Sequence, residues 1–229
     1  MDQDLIVSSL RDSCLFERAQ EDALTEIARQ LRRRRFRRNE TIFHQGDPGD
    51  ALHIVSSGAV KIVLPSLEGE EAIIATLRSG DFFGELALLD GAPRSATAVA
   101  VEASETWTLS RELLLRMLDR DPALRESLLA GVARELRRIT GHVQELHFLD
   151  LAGRLASRLA RLAREADADA SEVRLDWPYT QSDLASMIGG TRQSVNKLLS
   201  GLVDRGLVVI EKDTLLIPDV AALELEARR

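Results

Sequence analysis

The sequence TQSDLASMIGGTRQSVNKLLSGLV, residues 180–203, contains two helical patterns separated by two glycines. Thr180, followed three residues later by Asp183, predicts a helix start that resembles a capping box. Gly189-Gly190 ends this helix because glycine readily adopts the left-handed conformation found at helix C-termini, and Thr191 can cap the next helix. The apolar residues of the second helix share one face, which we expect to be buried: Val195, Leu198, Leu199, Leu202 and Val203.

The opposite face of the second helix carries polar side chains that suit contacts with nucleic-acid bases. They are Arg192, Gln193, Asn196 and Lys197. Arg and Lys hydrogen-bond guanine, whereas Gln and Asn hydrogen-bond adenine. Residues 184–203 contain no Asp or Glu, although the whole chain has a net charge of −7. We interpret it as a DNA-reading helix; the alternative is a solvated face that only keeps the domain soluble.

The residues around this helix pair complete a recognisable arrangement. Residues 207–210 and 215–217 predict a two-stranded hairpin across the polar turn 211–213. A helix, a glycine turn, a second helix and a hairpin form a winged helix-turn-helix. Upstream, Leu151, Leu155, Leu159 and Leu162 form an apolar stripe, followed by a polar connection at 167–172. We therefore predict a DNA-binding domain over residues 150–229.

Residues 121–149 predict one long helix, with Asp121 as its cap and Pro122 at its first position. Apolar residues spaced by four and three form a heptad seam: Val132, Leu136, Ile139, Val143 and Leu146. Such a seam can join two copies of the chain. The alternative is an amphipathic helix packed on its own domain. Gly141 weakens the helix where a ligand could help to order it.

Residues 40–109 combine short apolar runs with glycine turns, a pattern typical of a jelly roll or barrel. We expect its interior to be the Val/Ile/Leu face, which includes Val60, Ile62 and Leu64. We predict a sensor domain over residues 1–120. The predicted fold class is α+β, with an N-terminal β-roll, a long central dimerisation helix and a C-terminal winged helix-turn-helix.

The segment FFGELALLDGAPRSAT, residues 82–97, carries the chemistry of this domain. We expect a turn-rich segment in which Arg94 and Ser95 hold an anionic phosphate. Glu85 can accept hydrogen bonds from a sugar hydroxyl. Together these groups suit a nucleotide bound without a metal; the alternative is an internal Glu85–Arg94 ion pair.

These residues resemble a known family. Residues 83–89 and 93–97 look like the phosphate-binding cassette of cyclic-nucleotide-binding domains. Residues 45–50, 148–150 with 153–154, and 190–195 complete the pattern of the cyclic-AMP receptor protein / fumarate-nitrate regulator (CRP/FNR) family. The resemblance covers nearly the whole chain. It implies a homodimeric transcription regulator that binds palindromic double-stranded DNA, works with RNA polymerase and responds to a cyclic nucleotide.

The resemblance also implies roles for individual residues. Glu85 would bind the ribose 2′-hydroxyl, and Arg94 and Ser95 the cyclic phosphate. The rest of the implied nucleotide site is Gly84, Leu86 and Ala87, with Ile139 and Thr140 of the central helix facing the adenine. Ile139 replaces a hydroxyl residue of the family's nucleotide-specific receptors. Cyclic AMP is the predicted effector; cyclic GMP, a cyclic dinucleotide and the absence of any ligand stay open.

In the DNA-binding domain, Arg192 matches the family's guanine-reading arginine, and Lys197 replaces a second guanine-reading arginine. Gln193 replaces a glutamate that accepts from cytosine, so we expect the half-site to depart from the TGTGA-like sequence that the resemblance implies. The full set of predicted DNA contacts is Thr180, Gln181, Thr191, Arg192, Gln193, Ser194, Asn196 and Lys197.

Several function classes are disfavoured by the composition. One cysteine, Cys14, and four scattered histidines provide no metal or iron–sulfur site, and a haem site lacks a matching motif. No catalytic residues are predicted, so an enzyme is the weaker alternative, as is a cyclic-nucleotide docking module without DNA function. The absence of a signal peptide or membrane span predicts a cytoplasmic protein. The arginine-rich run 32–38 is interpreted as a solvated or ion-paired face, with contacts to flanking DNA or polymerase as the alternative.

Overall fold

The structure is a computed structural model that describes residues 6–7, 10–11, 13, 15–16, 19, 21–66, 70–177, 179–212 and 214–228. Cys14, which we expected to be a small apolar residue near an N-terminal helix, lies outside the described residues. The chain divides into two compact units between Arg138 and Ile139.

The helices and strands follow one another in an order that matches the predicted change from β to helical periodicity. The described helices are α1 (Glu21–Ala28), α2 (Glu85–Asp90), α3 (Arg111–Arg120), α4 (Pro122–Phe148), α5 (Leu151–Ala166), α6 (Gln181–Ile188), α7 (Arg192–Asp204) and α8 (Val220–Glu226). The described strands are β1 (Arg32–Phe36), β2 (Thr41–Phe43), β3 (Ala51–Ser57), β4 (Val60–Pro65), β5 (Glu71–Leu77), β6 (Phe82–Phe83), β7 (Thr97–Ala100), β8 (Ser104–Ser110), β9 (Val173–Asp176), β10 (Val209–Glu211) and β11 (Thr214–Ile217).

The first unit contains two antiparallel four-stranded sheets, with strand orders β1-β8-β3-β6 and β2-β7-β4-β5. Val55 and Phe83 of one sheet pack with Val60 and Ala98 of the other, so a buried apolar layer joins the sheets. A second and larger core lies where the first sheet packs with α1, α3 and the start of α4. The predicted β-roll and the α+β fold class are confirmed.

One prediction about the interior of the β-roll was wrong. Leu64 was expected to face the interior with Val60, but its side chain is 38% exposed, and Val63 is buried instead. The pairing of β4 with β5 shifts register between Ile62 and Val63. Because a bulge changes local twist and re-aims side chains, strict alternation does not continue past this point.

The arginine-rich run forms β1, which lies at the edge of its sheet. The guanidinium groups of Arg33 and Arg35 both bond the carboxylate of Glu105 on the neighbouring strand β8. Arg32 and Arg34 are exposed. The run therefore combines an ion-paired face with a solvated one.

The second unit contains α5 to α8 and a three-stranded antiparallel sheet of order β10-β11-β9. The expected two-stranded wing is therefore extended by β9, whose Val173 and Leu175 are buried between exposed neighbours. Val203, which we expected to be buried, is 40% exposed. It lies in the last turn of α7 and about 80° around the helix from Val195, so it leaves the buried face.

Among the described residues, no helix is long and apolar enough to cross a membrane. Within the same part of the chain, no three His, Cys, Asp or Glu side chains come together as a metal site.

Candidate functional site

The cassette begins at Gly84, which has a φ of 82° and is the N-cap of α2. Residues 85–90 are therefore a short helix, where we had expected turns. A Cβ at Gly84 would lie 2.4 Å from Nη1 of Arg94. The backbone here is also in the left-handed region, which disfavours residues other than glycine. Glycine is required here because the arginine approaches the backbone so closely.

Arg94 is buried, with 4% of its surface exposed. Its Nη1 donates to the carbonyl oxygen of Gly84 at 2.7 Å, and its Nη2 donates to that of Ala51 at 2.6 Å. Nη2 also lies 3.9 Å from Oδ1 of Asp50. Nε is buried and has no acceptor among the described residues. Among the ion pairs of the described residues, Arg94 pairs with Asp50 and not with Glu85.

The backbone of Arg94 is tied to the turn at residues 45–50. Its N–H donates to the carbonyl of Asp47, and its carbonyl accepts from the N–H of Gly46, both at 2.9 Å. Gly49 lies against Ala87, because an added Cβ at Gly49 would come within 2.3 Å of the Ala87 Cβ. The structure therefore brings this turn, α2 and Arg94 together.

Burial shifts the titration of both charged cassette residues. It raises the pKa of the Glu85 carboxyl, with a smaller upward effect of the nearby Glu135 carboxylate and a downward one of Arg94. It lowers the pKa of the Arg94 guanidinium, which the carboxylates of Asp50 and Glu85 partly oppose. Leu86 and Ser95 are exposed. The cassette thus combines a buried cation and a partly buried carboxylate with an exposed hydroxyl.

The predicted seam on α4 divides into two parts. Val132 packs on the core of its own unit. The other four residues are exposed apolar side chains, from Leu136 at 65% to Leu146 at 40%. Leu129, which the sequence reading missed, is 69% exposed and lies one seam step before Val132. The heptad spacing itself, extended backwards by three residues, would have found it. Ile139 and Thr140 are exposed on the same helix.

The helices α6 and α7 begin and end where their local sequence predicts. The Thr180 side chain accepts from the N–H of Asp183 at 3.1 Å, and the Asp183 carboxylate accepts from the N–H of Thr180 at 2.9 Å. Gly189 ends α6 with a φ of 69°. Thr191 caps α7, where its hydroxyl accepts from the N–H of Ser194 at 3.1 Å. The predicted capping box and turn are therefore present.

The two faces of α7 separate apolar from polar residues. Val195, Leu199 and Leu202 are buried, and Leu198 is half-buried. Exposed on the other face are Thr191, Arg192, Gln193, Asn196 and Lys197. Thr180 is exposed at the start of α6, while Gln181 and Ser194 are half-buried. The arrangement presents donors and acceptors from one rigid helix.

Arg154 has a role that the sequence reading missed, although it was quoted as part of a motif. Its guanidinium donates to the carbonyls of Leu146 at 3.1 Å and Leu149 at 3.1 Å, at the end of α4. It also donates to the carbonyl of Ile188 at 3.2 Å, the last residue of α6. One side chain therefore joins the end of the long helix to the turn before α7.

Two protein families match separate parts of the chain. The cyclic nucleotide-binding domain family matches residues 33–121. The Crp-like helix-turn-helix domain family matches residues 153–226. These two ranges contain the cassette and the α6–α7 pair respectively.

Similar proteins extend the match along most of the chain. A CRP-like cAMP-activated global transcriptional regulator of Mycobacterium tuberculosis is 33% identical over 93% of this chain and 96% of its own. The cyclic AMP receptor protein of Thermus thermophilus is 35% identical over 85% of this chain and 87% of its own. Among solved structures, the c-di-GMP responsive global regulator CLP of Xanthomonas campestris has a TM-score of 0.70 and 25% identity, covering 82% of this chain and 94% of that one.

The resemblance stated from the sequence is thereby confirmed. The matched domains lie in the predicted order, a cyclic-nucleotide-binding domain before a helix-turn-helix domain. Two relatives above 30% identity match 93% and 77% of the chain and are regulators of transcription. The chain therefore belongs to the CRP/FNR family of DNA-binding transcription regulators, and it is not an enzyme.

Proposed function

We propose that this regulator works as a homodimer that binds cyclic AMP in its β-roll and then reads a palindromic DNA site. The observation that carries the proposal is Arg94, whose buried guanidinium donates to the carbonyl of Gly84 at the start of α2 and which directly precedes the exposed Ser95 in the chain. Arginine binds phosphate through charge-assisted hydrogen bonds. Relatives named for cyclic AMP support this nucleotide over cyclic GMP.

Arg94 has N–H donors left for an anion. Its terminal nitrogens each donate once, to the carbonyls of Gly84 and Ala51, and Nε has no acceptor among the described residues. A guanidinium has five N–H donors, so a phosphate oxygen can accept from the remaining ones without displacing either carbonyl. A hydrogen bond to an ionised oxygen is stronger than one to a neutral carbonyl. Glu85 would accept from the ribose hydroxyl.

The exposed seam of α4 supports a homodimer. Leu136, Ile139, Val143 and Leu146 follow the heptad spacing, and none is buried within one chain. Burial of apolar surface of this kind between two helices drives coiled-coil association. Two-fold symmetry places two α7 helices so that a palindrome is read in successive major grooves. RNA polymerase is the further partner of such a regulator, which a run-off transcription assay tests.

The coupling between the two sites is a population shift. The nucleotide favours the arrangement of the dimer that binds DNA, through the cassette, Thr140 and the helix around Gly141. Linkage requires that DNA tightens nucleotide binding by the same factor. Measurement of cyclic AMP affinity with and without a DNA fragment therefore tests the mechanism directly.

The nucleotide assignment is tested by isothermal titration of the purified protein with cyclic AMP, cyclic GMP and cyclic di-GMP. We expect micromolar or tighter binding of cyclic AMP, its loss in Arg94→Gln and its retention in the control Arg120→Gln, which changes an exposed arginine of α3. Equal binding by wild type and Arg94→Gln contradicts the cassette assignment. If another of these nucleotides binds more tightly than cyclic AMP, that nucleotide is the effector.

A further inference from the structure

Phe43 supplies an aromatic surface under the Arg94 guanidinium. The Cζ atom of Arg94 lies 4.2 Å from the centre of the Phe43 ring. Phe43 ends β2, where pairing with β7 shifts register between Thr41 and Phe43. A bulge of this kind re-aims a side chain. The register shift in β2 therefore lies at the residue whose ring contacts the Arg94 guanidinium.

The Phe43 ring is itself held by two buried rings. His53 and Phe83 are paired across β3 and β6, and their rings stack at 5.0 Å with an angle of 18°. The Phe43 ring lies 5.8 Å from each of them. Phe43 belongs to one sheet, whereas His53 and Phe83 belong to the other. The three rings thus join the two sheets directly below Arg94.

Arg94 donates to two carbonyls, and the ring adds a further attraction for its buried charge. Its carboxylate neighbour, Asp50, is 3.9 Å away and its side chain is 95% exposed, so solvent weakens that attraction. A cation over an aromatic face is attracted most strongly when it is desolvated. His53 adds no positive charge below the ring, because burial, followed by the charge of Arg94, lowers its pKa to about 3.

We propose that Phe43 is the positioning residue of the nucleotide site, whose ring face fixes the Arg94 guanidinium where it meets the phosphate of the effector. The proposal rests on the proposed function of Arg94 as the phosphate-binding residue. Leucine at this position fills similar apolar space but has no aromatic face. Tyrosine keeps the face. The two substitutions therefore separate the attraction of the ring from simple packing.

A fluorinated series tests the attraction with almost no change of shape. Mono-, di- and trifluorophenylalanine at position 43 progressively weaken the negative ring face, while the same series at Phe16, a buried ring of the larger core, is the control. We expect cyclic AMP affinity, measured by titration calorimetry, to fall stepwise at position 43 by about ten- to thirty-fold in total. We expect an unchanged affinity across the control series.

Two further measurements make the outcomes distinguishable. Phe43→Tyr retains affinity and Phe43→Leu loses it, while the NMR resonance of the Arg94 Nε proton loses its ring-current shift only in Phe43→Leu. A flat affinity series at position 43, in protein that binds cyclic AMP, overturns the proposal and leaves the proposed function standing. Failure of the wild type to bind any cyclic nucleotide overturns the proposed function, and with it the role proposed for Phe43.

Discussion

His53 makes the β-roll sensitive to acid, and the size of the effect follows from its surroundings. Its Nδ1 lies 3.2 Å from the Thr106 hydroxyl, and its ring is enclosed by aromatic side chains. Burial lowers its pKa from 6.5 to about 3. Between these values the unfolded chain binds a proton that the folded chain does not. Stability is therefore lost as the pH falls below 6.5.

The magnitude at pH 5 can be worked from that shift. The unfolded histidine is then 1.5 pH units below its pKa of 6.5, whereas the folded one is still neutral. At about 1.4 kcal/mol per pH unit, the free energy of unfolding falls by about 2 kcal/mol relative to neutral pH. His53→Asn removes the titrating group and keeps a polar side chain facing Thr106.

The assay is urea unfolding at pH 7 and pH 5, followed by Trp107 fluorescence in a Trp177→Phe background, so that only the first unit is reported. His53→Asn is less stable than the wild type at pH 7 because it lacks the ring. We expect this difference to shrink by about 2 kcal/mol at pH 5. The exposed His44→Asn is the control. Parallel pH dependence of wild type and His53→Asn would refute the reasoning.

Three further predictions concern association, DNA reading and the junction at α5. Leu136→Glu places a charge on the exposed seam and is expected to give monomers in light scattering. The control Leu225→Glu changes an exposed leucine of α8 and is expected to leave the measured mass unchanged. A Leu136→Glu protein that is still dimeric would mean that the dimer interface lies elsewhere. Lys197→Ala is expected to reduce the free energy of DNA binding by about 1–3 kcal/mol and to relax base selection at one base pair. Gln181→Ala is expected to weaken binding to all DNA sequences alike, and fluorescence anisotropy on a set of DNA sites measures both effects. Arg154→Ala removes three hydrogen bonds to carbonyls and is expected to lower the free energy of unfolding of the second unit by about 2–3 kcal/mol in urea, with Arg154→Lys losing about half as much. A loss below about 0.5 kcal/mol in Arg154→Ala would mean that these contacts do not hold the junction.

The elements that sequence predicted well are those specified by local chemistry. The capping box at Thr180 and the glycine at 189 involve residues a few positions apart, so their pattern is visible in the chain itself. Strand β9 is different, because its four residues become a strand only through pairing with β11, more than thirty residues later. The exposure of Leu64 likewise follows a register shift against another strand. Such non-local pairing leaves no pattern within a short window.

In the candidate nucleotide site, Arg94 combines a property that local sequence predicts with contacts that depend on distant segments. An arginine beside a serine in a glycine-rich segment was enough to predict phosphate chemistry at Arg94. Its commitment to the carbonyls of Gly84 and Ala51, and its contact with Phe43, arise because three separate segments converge on it. These two hydrogen bonds use two of the five N–H donors of the guanidinium, and Nε has no acceptor among the described residues, so donors are left for an anion. The residue proposed to bind the ligand is therefore also the residue that joins these segments, and its position is fixed by contacts that no short window of sequence contains.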